Sequence, residues 1–228
     1  MKHPLGIIFA YHENNAATRE NLASFRRHNP DTPIKLISAG DQLAGSFDLR
    51  SDLVLECELD GFNPRSVWFN CDLQLYSWHR QCGGSCAAWL YVEWDTYCAQ
   101  PVMNYFKYVR DFELSAAMPK FPKRDQEWPW WTERSKLPAE YFNYAAGLAP
   151  LTGMIISDAL LGKIAAQQAA LPCNCFCEVR IATLAKYLGV SVAANPMAGE
   201  SLCWQSGVPE HVFGVLSHPV KYVVNPQK

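Results

Sequence analysis

Apolar residues fall into short continuous runs along the first half of the chain. Each run is followed by a polar loop, and then by a stretch in which apolar positions return every three or four residues. Leu5 to Tyr11 is the first run, and His12-Glu13-Asn14-Asn15 is the loop behind it. A run this short and continuous predicts a strand buried on both faces. Asn14 or Asn15 is placed to cap a helix that carries Leu22 and Phe25 on its inner face and closes at His28-Asn29-Pro30-Asp31. Pro33 to Ser38 predicts a second strand, turned by Ala39-Gly40. Strand, helix and strand joined by short loops predict parallel pairing with a right-handed crossover.

The alternation continues. Asp52 to Glu58 predicts a third strand. Trp68 to Arg80, with Phe69, Leu73 and Tyr76 at helical spacing, predicts a helix. Trp89 to Val92 is an unbroken apolar strand running into Glu93-Trp94-Asp95-Thr96, and Val102, Phe106 and Val109 mark another helix. Leu114 to Met118 and Gly153 to Ser157 read as strands. Ser157 or Asp158 caps a helix to about Ala170, and Glu178 begins another that Gly189 ends. This order predicts an α/β fold with a mostly parallel sheet flanked by helices. Pro119 to Pro138 interrupts it with four prolines and the cluster Trp128-Pro129-Trp130-Trp131. A stretch this long without periodicity predicts a functional lid or mobile loop. Its tryptophans suit either a platform for sugar rings or a plug for the core; both readings stay open.

Composition narrows the class. With 49% hydrophobic and 18% charged residues over 228 positions, the chain is globular, and one domain suffices for it. A formal net charge of −2 leaves no electrostatic footprint for nucleic acid. No apolar run approaches the ~18 residues of a membrane span. Met1-Lys2-His3-Pro4 leads straight into the first strand without a signal-peptide pattern, so a cytoplasmic location is expected. Of nine cysteines, Cys57, Cys71, Cys98 and Cys203 read as buried thiols. Cys82 with Cys86, and Cys173 with Cys175 and Cys177, lack the second pair that a zinc site needs.

The chemistry concentrates at one strand end. In extended backbone, residues two apart project to the same side, so Glu93 and Asp95 face a common point. Two hard carboxylates converging there suit Mg²⁺ or Mn²⁺, although acids also end strands that simply run out into solvent. In α/β sheets, ligands sit beyond the carboxyl ends of the strands, where the loop after Tyr11 also lies.

An apolar first strand with a polar loop, the strand ending in Glu93-Trp94-Asp95, and the later His218-Pro219-Val220-Lys221 together resemble the GT-A fold glycosyltransferases of the nucleotide-diphospho-sugar transferase superfamily. The resemblance covers roughly Leu5 to Lys221 as an order of elements, and only the short stretches match as motifs. Glu93 stands where the family's D-x-D motif has its first Asp. The resemblance implies a single domain of residues 1–228, with a nucleotide-binding half (1–118) and an acceptor-binding half (119–228). It implies a metal-dependent, hexosyltransferase-like enzyme that moves a sugar from a nucleotide-diphosphate donor to a carbohydrate or other hydroxyl acceptor. Tyr11, His12 and Glu13 would lie near base and ribose, and Glu93 would hold ribose or metal-bound water. Asp95 and His218 would ligate Mn²⁺ or Mg²⁺, and Lys221 would meet the diphosphate. Glu178 would be the catalytic base, with Asp158 as its competitor; an acid in a first helical turn also stabilises a helix with no chemistry at all. The alternatives are a GT-A-like domain that binds glycan or protein without catalysis and, less favoured for want of a Gly-rich phosphate loop, a nucleotidyltransferase.

Overall fold

The structure, a computed structural model, describes residues 2–12, 15–38, 53–54, 69–167, 175–197, 215–221 and 223. Glu13, and all of the expected third strand except Leu53–Val54, lie outside the described residues.

β1 (His3–Tyr11), α1 (Ala16–His28) and β2 (Ile34–Ser38) form the expected crossover, with β2 parallel to β1. Asn15 caps α1, its side-chain oxygen accepting from the Thr18 N–H at 2.9 Å. Arg26, Arg27 and His28 occupy the last turn, where positive charge complements the exposed carbonyls. β3 (Leu53–Val54) extends the sheet beyond β2. After α2 (Cys71–Cys82), β4 (Cys86–Glu93) inserts parallel to β1 on its other side, from His3↔Cys86 to Ala10↔Glu93.

β5 (Tyr97–Cys98), α3 (Met103–Val109), β6 (Leu114–Ala116), β7 (Met118–Lys120), α4 (Ala139–Phe142), β8 (Gly147–Ala149), β9 (Met154–Ser157), α5 (Asp158–Gln167), α6 (Cys177–Tyr187), β10 (Ala193–Ala194) and β11 (Leu216–Ser217) complete the described elements. The main sheet has seven strands in the order β10-β6-β9-β4-β1-β2-β3. β9 pairs antiparallel with both β4 and β6, while the other pairings are parallel. Mixed and mostly parallel, the sheet is of the kind the strand and helix alternation predicts.

Two cores lie on its two faces, sorted by the two-residue period of the strands. Leu5, Ile7, Phe9, Leu90 and Val92 pack with Leu22 and Phe25 of α1 and Phe106 of α3. Ile8, Ala10, Trp89 and Tyr91 pack with α2, α5 and α6. Arg180 and Asp72, both fully buried, join α6 to α2, with the Arg180 Nε 2.7 Å from Asp72 Oδ2.

The proline- and tryptophan-rich segment is a folded part of the molecule, which corrects the expectation of a lid. It contains β7, a 3₁₀ helix over Pro129–Lys136, and α4. Trp131 is only 7% exposed, and its indole N–H donates to the Asp125 carbonyl. Trp130 stacks at 4.4 Å on Phe176, and Trp128 meets Trp131 edge-on at 5.0 Å. A Cβ on Gly147 would fall 2.4 Å from the Trp128 ring, so that ring needs a glycine beneath it. Trp128 and Trp130 pack half-buried against the larger core and Trp131 is buried, which fits the plug better than the platform.

Candidate metal centre

The turn after β4 and the distant β11 segment build the site together. β4 ends at Glu93, and the Thr96 N–H donates back to the Glu93 carbonyl at 2.9 Å, closing a tight turn around Asp95. β5 follows at once and pairs antiparallel with β11, with Leu216↔Cys98 and Ser217↔Tyr97. That pairing lays His218 to Lys221 over the turn. The Val220 N–H donates to the Asp95 carbonyl at 2.6 Å. Asn21 of α1 fastens both segments, its buried amide donating to the carbonyls of Trp94 (3.0 Å) and Val220 (2.9 Å).

Three of the expected ligands converge as a result. Glu93, Asp95 and His218 can each offer one ligand atom, and those atoms all lie within 4.8 Å of one another; they are the one such group among the described residues. His218 Nδ1 is 3.2 Å from Asp95 Oδ1, and its Nε2 is 4.0 Å from Glu93 Oε2. Lys221 Nζ lies 3.7 Å from Asp95 Oδ2 and 5.6 Å from the centre of the Trp94 ring.

The charges are mutually adjusted. Burial pushes the Glu93 carboxyl up, and neighbouring Asp95 adds to this against the pull of His218. Burial also works to raise Asp95, but the His218 hydrogen bond and the nearby positive charges outweigh it and leave it below the ordinary value. His218 is raised, the bond to Asp95 outweighing a burial that favours the neutral ring. Two carboxylates and one imidazole make a donor set that suits Mn²⁺, and Mg²⁺ less well because of the nitrogen. A cation among them would relieve the repulsion between the acids.

Two buried threonines support the arrangement, and neither was singled out from sequence. The Thr152 hydroxyl accepts from the Glu93 N–H at 3.1 Å and bonds the Thr96 hydroxyl at 2.9 Å, while Thr96 reaches His218 Nδ1 at 3.4 Å. No local pattern marks them, because Thr152 comes from the loop before β9, 59 residues from Glu93.

Tyr11 and His12 stand at the carboxyl end of β1, next to β4. Tyr11 is buried, His12 is exposed, and the His12 ring meets Trp94 edge-on at 5.4 Å. Both line a small cleft with Gln74, Tyr91, Glu93 and Trp94. Glu178 begins α6 behind the site and is buried, its Oε1 accepting from the Leu151 N–H at 3.0 Å. Burial, then the charge of Glu93, hold it well above the ordinary glutamate range. Asp158 is placed elsewhere: its neighbour Ser157 pairs with Ala88 near the start of β4, the opposite end from Glu93. There it accepts from Trp89 Nε1, the Gly84 N–H and His79, which removes it as a competitor for the catalytic base.

No protein-family model and no curated protein matches the sequence. Solved structures do. Mouse xyloside xylosyltransferase 1, in its apo form, aligns with a TM-score of 0.50 and 13% identity over 96% of this chain and 97% of that one. The galactosyltransferase LgtC, solved with donor and acceptor sugar analogues, aligns with a TM-score of 0.41 and 13% identity over 82% of this chain and 73% of that one. The fold is GT-A. In this GT-A sheet, Glu93, Asp95, Tyr11 and His12 share the carboxyl edge, and the β5–β11 pairing returns His218 and Lys221 to it. No helix among the described residues is long and apolar enough to cross a membrane.

Proposed function

We propose that this protein is a metal-dependent glycosyltransferase, moving a sugar from a nucleotide-diphosphate donor to a hydroxyl acceptor. One observation carries the reading: Glu93, Asp95 and His218, from positions up to 125 residues apart, meet at the carboxyl edge of a GT-A sheet. Asp95 and His218 would hold Mn²⁺ or Mg²⁺, with Glu93 beside them toward the ribose or a metal-bound water. A divalent ion there neutralises charge on a departing diphosphate. Lys221 adds a half-exposed positive charge beside Asp95, which would meet a phosphate oxygen. Tyr11, His12 and Glu13 are the residues proposed to meet base and ribose, the first two from the lining of the cleft.

The acceptor hydroxyl needs a group to take its proton, and Glu178 is the candidate. Its setting is that of an acid that holds its proton tightly, so it would serve only once ionised. In this reading residues 1–118 bind the nucleotide and 119–228 the acceptor, with His218 and Lys221 crossing back to complete the first half's site. The folded tryptophan segment takes away the open aromatic surface that favoured a purely glycan-binding domain.

Calorimetric titration with UDP and GDP, with and without Mn²⁺, tests the reading directly. Micromolar to millimolar binding that Mn²⁺ strengthens is expected, and Asp95→Asn should abolish the metal's contribution with the fold intact. Equal binding of all nucleotides, including monophosphates, would defeat it.

A further inference from the structure

α2 carries a polar side chain that neither the metal centre nor the fold makes use of. Gln74 is only 7% exposed, yet it lines the cleft with Tyr11, His12, Tyr91, Glu93 and Trp94. Among the described residues its carboxamide makes no hydrogen bond. The other buried carboxamides are each engaged through at least one atom, although the Asn21 oxygen has no partner among the described residues. Asn21 donates to two carbonyls, Asn29 bonds Phe25 and Val102, Asn70 accepts from Arg180, and Asn195 bonds Gly153 and Met197. Most buried polar groups are paired; among the described residues the Trp78 indole N–H and the Ser115 hydroxyl are exceptions inside the core, whereas Gln74 lines a cleft, where a ligand can complete the pairing.

The surroundings define that ligand. A carboxamide offers two donors and one acceptor on a flat group. Glu93 in the same cleft offers acceptors, so an anion such as phosphate is disfavoured beside it. Adjacent hydroxyls on a sugar ring fit both, one exchanging hydrogen bonds with Gln74 and its neighbour donating to Glu93.

We propose that Gln74 is a specificity-determining residue that recognises a vicinal diol of the sugar nucleotide, next to Glu93. This rests on the reading of the cleft as a donor site. Two parts of a donor carry such a diol: the ribose and the transferred sugar. Their position relative to the diphosphate differs, and so does their response to substitution.

The test titrates wild type and Gln74→Leu with UDP, 2′-deoxy-UDP and a panel of UDP- and GDP-sugars in the presence of Mn²⁺, and records thermal unfolding of both proteins without ligand. Gln74→Met, of similar length, serves as a second variant. If the diol is that of the transferred sugar, both variants bind a nucleotide sugar at least tenfold more weakly and bind UDP as wild type does. If it is the ribose, UDP weakens tenfold and 2′-deoxy-UDP is bound equally by all three proteins. In either case unfolding without ligand is unchanged or shifts upward, because an apolar group replaces an amide with no protein partner. Unchanged affinities for every ligand, or a clear fall in unfolding temperature in both variants, would overturn the proposal and leave the donor site standing. Failure of wild type to bind any nucleotide or nucleotide sugar would remove both.

Discussion

At the residue scale, the centre depends on groups that never touch a ligand. Thr152 fixes the backbone of Glu93 and the hydroxyl of Thr96, which in turn faces His218. Groups that orient metal ligands typically alter metal affinity by 10- to 100-fold when removed. Thr152→Val is therefore expected to weaken Mn²⁺-dependent nucleotide binding on the order of tenfold, and Thr152→Ser to restore it. Isothermal titration of both variants checks this. His218→Ala should weaken binding less than Asp95→Asn, since Asp95 is the ligand set deepest in the turn. A second site lends itself to a pH test. Burial works to raise Asp158, but hydrogen bonds from Trp89, Gly84 and His79 outweigh it and hold the carboxyl below its ordinary value. Its contribution to stability is thus present above the unfolded carboxylate range and is lost as pH falls through the folded value. Asp158→Asn should cost about 2 kcal/mol near neutral pH and little in strong acid, as measured by urea unfolding across the pH range.

At the scale of elements, the buried aromatics of the 129–136 helix behave as core. Trp131→Ala is expected to lower unfolding free energy by about 3–5 kcal/mol; a loss under ~1 kcal/mol would return the segment to the status of a loose lid. The sequence misled at this point for a physical reason. Four prolines interrupt any apolar period, and a short 3₁₀ helix packs through single large rings rather than through a repeating stripe. The strands β1, β2, β4 and β9 were legible because their runs are apolar and bounded by turn residues. β5 and β11 were not, being two residues each, with nothing in either that names its partner. Glu93 and Asp95 could be picked out by residue type and His218 by the resemblance, but the element that brings them together could not. Gln74 escaped notice for the opposite reason: a polar residue within a helix reads as a solvent position, whereas every residue from Cys71 to Tyr76 is buried.

At the scale of the whole molecule, α2 and α6 are clamped by Arg180 and Asp72, and α6 carries Glu178 against the loop that also supplies Thr152. A buried acid with a raised value contributes in the opposite sense to Asp158. Its neutral form is the one the fold prefers, so stability is largest in acid and declines as pH rises from the unfolded glutamate range toward the folded value. Glu178→Gln keeps an acceptor for the Leu151 N–H and removes the ionisation. Its unfolding free energy should therefore fall less than that of wild type between pH 5 and pH 8, and an identical slope would show that Glu178 does not carry it. The same variant, assayed for transfer, separates a structural Glu178 from a proton acceptor, because only the latter loses turnover when stability is held.

The amide of Asn21 holds the Trp94 and Val220 carbonyls together, and its own separation from Val220 is 199 positions of sequence. Closing so large a loop costs entropy that local contacts cannot offset in advance. A chain leaving the ribosome can therefore complete α1, the β1–β4 pair and most of both cores, short of Val215 and Leu216 in one of them, while still lacking two of the side chains around Asp95. Nucleotide affinity should be acquired in a late step, after the tryptophan fluorescence of the core has reached its final value. During refolding, an Mn²⁺-dependent nucleotide signal is accordingly expected to lag behind the fluorescence change, and replacing Asn21 with Ala should lengthen that lag.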